Sequence, residues 1–257
     1  MPFLDAAGRE LRTLELRQLL DDDGLHGRIF QLREPFAWRD EAGGTVVEPH
    51  DLTRPARAEV RGRVRTVNGT DIASVPSVFW AFIAPYGRQS PPAVLHDRRV
   101  DAIERQPVER WVALRRPVDL EFQRALRDRR VPRLRARLMW AFVSLQSYFE
   151  PAPSTAGAII GGAALASLAA WAAVVLGVAV SPWWWLLLAA PVLAVLSAWR
   201  IRRLMLTLVL TGLFLGPLML AQVVLVGLFR LVEIAASPFD DRGGSVFTPT
   251  LDRNRLS

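Results

Sequence analysis

The chain has 257 residues, no cysteine and a formal net charge of +7, with every basic residue an arginine; disulfides and thiolate metal sites are thereby excluded. Its 51% hydrophobic content averages two unlike parts, a charge-rich stretch to about residue 153 and a nearly uncharged one over 156–229. The Lys-free composition reads as a GC-rich bacterial genome, and Arg spread without interleaved aromatics speaks against nucleic acid and for the lipid bilayer, anionic head groups included, as the partner.

The first twenty residues carry several charges and no apolar signal core, so export by a cleaved signal is not expected. Residues 4–20 fit an amphipathic helix with Leu11, Leu14 and Leu19 near one face, although Leu16 also fits a strand alternation. Residues 27–48 read as a hairpin, in which GRIFQL and PFAWRD are strand-like, Glu41 to Gly44 turns and TVVE returns. The stretch 57–67, RAEVRGRVRTV, alternates Arg with apolar groups as one further strand. From Thr70 the pattern turns helical. Ser77 is expected to cap a short helix through Phe79, Trp80 and Phe82. Helices follow over 91–105, opened by Pro91 and Pro92, and over 117–129. A further helix over 132–149 spaces Leu134, Leu138, Phe142, Leu145 and Phe149 for one face and is expected at the membrane surface. The expected fold is α+β: a small antiparallel sheet followed by a helical half, one soluble domain over 1–153 with enough chain for its own core.

Three transmembrane helices are expected as an anchor over 156–229, at 156–180, 183–199 and 204–229. A span needs roughly 20 apolar residues to cross about 30 Å of hydrocarbon, so the second is at the lower limit. Ser181-Pro182 makes a tight turn, and Trp183, Trp184 and Trp185 suit an interfacial belt. Arg200, Arg202 and Arg203 join the last two spans. The positive-inside rule puts them and the N-terminal domain in the cytoplasm, with a disordered tail over 230–257 outside. The expected location is the inner membrane of a bacterium, crossed several times. No ionisable residue falls inside a span, which favours an anchor over a transporter. Gly157 and Gly161 form a GxxxG pair, which reads either as a seam for a homo- or hetero-oligomer or as plain abundance of small residues.

Candidate chemistry gathers over residues 70–97, where one of only three histidines, His96, stands beside Asp97. A general base needs one ring nitrogen free and the other held by an acceptor. Asp119 on the following helix can supply that acceptor. Asp97, about 100° round the helix from His96, is then placed to ligate a hard metal such as calcium through oxygen, and Asp71 can join either role. The plain alternative makes Asp97 and Asp119 helix-end or surface charges and His96 a satisfied buried histidine.

These residues resemble the domain of unknown function numbered 1353, a family common in phage and prophage genomes. The resemblance runs through Thr70, Asp71, Ala73, Ser74 and Pro76, then Pro85 and Gly87, then Ala93, His96 and Asp97. It continues with Arg115, Asp119, Phe122, Ala125 and Leu126, and covers about residues 27–149. Val100 and Val118 stand where the pattern has Tyr and Ala. A His-Asp helix followed by a helix with another Asp is further similar to secreted phospholipases. That likeness implies His96 as the base activating water, Asp97 holding a calcium ion that stabilises the oxyanion, and Asp119 orienting His96. Two functions are expected: a membrane-anchored, His/Asp-dependent and metal-assisted ester (phospholipid) hydrolase, or a non-catalytic phage-type structural or interaction module tethered to the membrane.

Overall fold

The computed structural model describes residues 3–19, 29–40, 43–60, 63–70 and 87–236. The chain divides into two compact units. The first comprises residues 1–102, 124–131 and 226–257, the second 103–123 and 132–225.

The first unit holds the strands β1 (Phe3–Leu4), β2 (Leu16–Leu19), β3 (Ile29–Leu32), β4 (Phe36–Asp40), β5 (Gly43–Val47), β6 (Arg57–Val60) and β7 (Arg63–Thr66). All pairings among them are antiparallel: a sheet in the order β1-β4-β5, and the two pairs β2-β3 and β6-β7. The small antiparallel sheet followed by helices is as the sequence suggests. Phe36 and Trp38 alternate with Ala37 and Arg39, so one face of β4 is apolar. That face builds a core with Phe3, Leu11, Leu32 and Val47, closed by Val94 and Leu95 of α1 (Ser90–Glu104) and Ala125 of α2 (Trp111–Asp128). Phe3 lies opposite Trp38 in register, with ring centroids 6.4 Å apart. The indole of Trp38 donates to Asp128 Oδ2 at 3.0 Å, which satisfies its buried N–H. Arg129 lies 5.7 Å over the Phe3 ring and donates to the Leu11 carbonyl.

Three expectations in this part are corrected. The described part of the helix expected over 4–20, residues 4–19, forms no helix. The Asp5 carboxylate takes the N–H groups of Ala7 and Arg9, each at 2.9 Å, and turns the chain directly after β1. Leu16–Leu19 then finds backbone partners in β3, so the strand alternation wins. The stretch 57–67 is a hairpin rather than one strand, because folding back lets each half satisfy the other's backbone groups. The helix expected over 117–129, α2, begins at Trp111 and carries Pro117 inside it. Ala113 and Pro117 are both exposed, so the bond that Pro117 removes leaves no buried acceptor. The helix expected from Ser77 lies outside the described residues.

In the second unit, α3 (Arg133–Gln146) buries Leu138 and Leu145, whereas Leu134 is 69% and Phe149 51% exposed. Among the described residues, two helical stretches are long and apolar enough to cross a membrane: α4 (Pro153–Ala179), and Trp199–Ala236, most of which is α6 (Arg202–Ala236). The expected second span is not among them. It is a 3-10 segment, Pro182–Leu188, followed by α5 (Ala189–Ser197). The nine-residue α-helix alone rises about 14 Å, half of the hydrocarbon thickness, and the 3-10 segment before it adds about as much.

The packing of α4 on α6 explains that segment. Gly162 meets Met205, Ser167 donates to the Val209 carbonyl at 3.1 Å, and Trp171 donates to the Leu213 carbonyl at 3.1 Å. Contacts advance together along both helices, so the two run parallel and the chain between them must return over the same length. A 3-10 helix climbs about 2.0 Å per residue against 1.5 Å for an α-helix, so it stretches a short segment over that return. Ala163, Ala166, Ser167, Ala170 and Ala173 form the buried stripe of α4. Gly212 completes the seam, since a Cβ there would collide with the Ser167 hydroxyl. Gly157 and Gly161 take no part in it, with nothing within 4 Å of a Cβ built at either.

Candidate functional site

The polar centre of the first unit starts from β3. Phe30 pairs with Thr70 in an isolated antiparallel bridge, each N–H donating to the other's carbonyl at 2.8 Å. The bridge needs glycine beside it. A Cβ on Gly69 would stand 2.6 Å from Ile29 Cγ2 and 3.2 Å from the Phe30 carbonyl oxygen. Next along the strand, buried Gln31 donates to the Asn68 carbonyl at 3.0 Å. Leu32 N–H donates to His50 Nδ1 at 2.7 Å, and the His50 N–H returns a bond to the Leu32 carbonyl at 2.9 Å. Asn68 also holds the carbonyls of Asp51 and Arg54 through its amide nitrogen. Two separate stretches of chain, around His50 and Asn68–Thr70, are thus tied to one strand and to each other.

Helix α1 closes the cluster. The Thr70 hydroxyl donates to Asp97 Oδ2. Arg98, the next residue, donates to the carbonyls of Glu48 and Pro49 at 3.3 and 3.4 Å. His96 is buried, and its Nδ1 stands 3.9 Å from Asp97 Oδ1, beyond hydrogen-bond range. The structure therefore brings Thr70 to Asp97, the chain neighbour of buried His96. Asp119 sits in the second unit on α2, fully buried, with buried Arg115 one helical turn before it. Asp71 lies outside the described residues.

His50 is the member of this cluster that sequence reasoning passed over. Its sequence signal was there to be read, because His50 stands directly before Asp51, the same His-Asp adjacency that singles out His96. Since Nδ1 accepts from Leu32, the neutral ring carries its proton on Nε2. Burial, and then the neighbouring Arg98 charge, push its pKa from the usual 6.5 down to about 4, against the opposing pull of Asp97 and the Gly69 backbone. His50 is thus a neutral acceptor at neutral pH.

A cavity of about 460 Å³ opens near the start of α1, lined among others by Leu11, Arg12, Gln18, Phe30, Ser90 and Arg129. Neither His96 nor Asp97 lines it. Among the described residues, no three His, Asp or Glu side chains stand close enough to hold a metal ion.

Residues 32–143 match the model of one family. It is described as protein of unknown function (DUF1353). The matched segment of DUF1353 runs from the end of β3 into α3, so it contains His50, Thr70, Asp97 and Asp119 and leaves out α4 and α6. No curated protein and no solved structure matches the chain.

Proposed function

We propose that this chain is a membrane-tethered structural or interaction module whose Thr70–His96–Asp97 motif clamps the fold together. The observation that carries this reading is the Asp97 carboxylate. One of its oxygens takes the Thr70 hydroxyl, and Arg98 beside it ties down the 48–49 backbone, so this stretch of α1 acts as a clamp on the sheet region. Burial of His96 and its 3.9 Å separation from Asp97 support the same reading. In this proposal α4 and α6 are the tether in a bacterial inner membrane. Arg200, Arg202 and Arg203 keep the matched domain on the cytoplasmic side, in a prophage-related setting. The parallel course of α4 and α6 supports several crossings, because the chain between them has to come back. The module's ligand is then a protein partner.

One observation favours a second reading. Thr70 does meet Asp97 beside the buried His96, and catalytic hydrogen bonds are often long before substrate binds. The second reading is a phospholipid ester hydrolase, with His96 as base, Asp119 orienting it, and Asp97 with Asp71 holding calcium. Lipid profiling of cells expressing wild type, His96→Ala or Thr70→Val, with calcium in the lysate, separates the two. The clamp predicts equal lysophospholipid and free fatty acid in all three, with Thr70→Val destabilised by about 1–3 kcal/mol through loss of a hydrogen bond to a carboxylate. Lysophospholipid present in wild type and absent in His96→Ala would overturn the clamp and establish the hydrolase.

A further inference from the structure

We propose that the start of α6 is a binding site for the phosphate head groups of anionic phospholipids. The proposal deepens the membrane-tether reading and rests on it. Four arginines, Arg116, Arg200, Arg202 and Arg203, are exposed in the second unit at or beside the 3-10 turn Trp199–Ile201. Arg116 reaches there from α2, donating through Nη2 to the Arg200 carbonyl at 3.3 Å. Arg202 lies 5.6 Å over the Trp199 ring, and that ring is itself 70% exposed. Among the described residues, none of the four arginines is in an ion pair.

A guanidinium fork matches the oxygens of a phosphate and binds them with two parallel hydrogen bonds. An exposed Trp at a helix start is the side chain that settles at head-group depth. This arginine collar at the start of α6 therefore combines cations that pair with no described acid, an interfacial aromatic, and the beginning of a helix apolar enough to enter hydrocarbon. The turn at the other end of α4 is built differently. Ser181 to Trp185 carries three Trp and no charge, so it offers interfacial anchoring without charge selection. One end of the helix pair is thus equipped to choose lipid by charge and the other is not.

The experiment uses the full chain reconstituted in phosphatidylcholine vesicles, with spin-labelled phosphatidylglycerol or phosphatidylcholine as the probe. Wild type should hold the anionic probe several-fold over the neutral one, and the preference should fall with salt. The combined variant R116Q/R200Q/R202Q/R203Q should still co-float with the vesicles and lose the preference, while R202K/R203K, which keeps the charge, should retain most of it. Equal binding of both probes by wild type, or full selectivity in the Gln variant, would overturn the collar while leaving the tether intact. Abolition of the preference by millimolar inorganic phosphate would assign the site to a soluble anion and overturn the lipid assignment. A wild-type chain that does not co-float would overturn the tether and the collar together.

Discussion

Side chains with direction hold the first unit together, whereas small side chains and close approach hold the second. Around β3, Gln31, His50, Asn68, Thr70 and Asp97 each bond to a segment distant in sequence. Along α4 and α6 the corresponding work falls to alanines, Gly212, one hydroxyl and the Trp171 indole. A buried polar cluster is stable only while every member keeps its protonation state and partner. The α4–α6 seam has no titrating group, so its strength does not follow pH. The two regions should therefore fail under different insults.

The largest contrast comes from the core. Trp38→Ala removes a side chain that is 2% exposed, together with its bond to Asp128. A loss of about 3–5 kcal/mol in the first unit is expected. Hydrogen exchange in detergent should show amides of β3–β5 and α1 opening, with α4 and α6 as protected as before. Equal loss of protection in both regions would show that they fold as one body and remove the contrast.

Acid should separate the regions next. The unfolded chain protonates His50 near 6.5, while the folded chain resists until about 4. Between those values the unfolded state binds the extra proton, so stability is complete above about pH 6.5 and falls as pH drops towards 4. Allowing for partial solvent screening, the His50 contribution is on the order of 2 kcal/mol. His50→Gln keeps a side-chain acceptor and should flatten the pH slope of the first unit's unfolding between pH 6.5 and 4. An identical slope in the variant would sink this assignment.

How much of this was legible in the chain follows the same division. Long periodic runs announced themselves: α1, expected at 91–105, is Ser90–Glu104, and α4 and α6 stand near the expected first and third spans. Leu16–Leu19 was ambiguous because four residues carry too little periodicity to choose between helix and strand, and a partner 13 residues away decided it. The return segment Pro182–Ser197 looked like a span by composition. Only the parallel course of its neighbours, a property of packing, accounts for its 3-10 form. In the site, the adjacency of His96 and Asp97 could be read directly, and the role of Thr70 beside them could not. The His50-Asp51 pair could be read as well, but the role of His50 could not, because its partner is the backbone of Leu32, which leaves no trace in side-chain pattern. Arg116 and Arg200 are 84 residues apart and join only through folding.

The smallest effect tests the seam itself. Ser167 Oγ lies 2.8 Å from the Ala163 carbonyl within its own helix and 3.1 Å from the Val209 carbonyl of α6, yet the hydroxyl has one proton. If the inner bond takes it, the hydroxyl adds little between helices, and Gly212 with the alanine stripe supplies the association. Ser167→Ala should then cost no more than about 0.6 kcal/mol, the usual size of an interhelical hydrogen bond in a membrane, and thermal unfolding in detergent micelles should show a barely shifted midpoint. Gly212→Ala on the Ser167→Ala background should be tolerated better than on wild type, because the Oγ that its Cβ would strike is gone. Equal penalties in both backgrounds would mean that the Ser167 Cβ, 2.9 Å from the added methyl, sets the helix spacing and that the hydroxyl has no part in it.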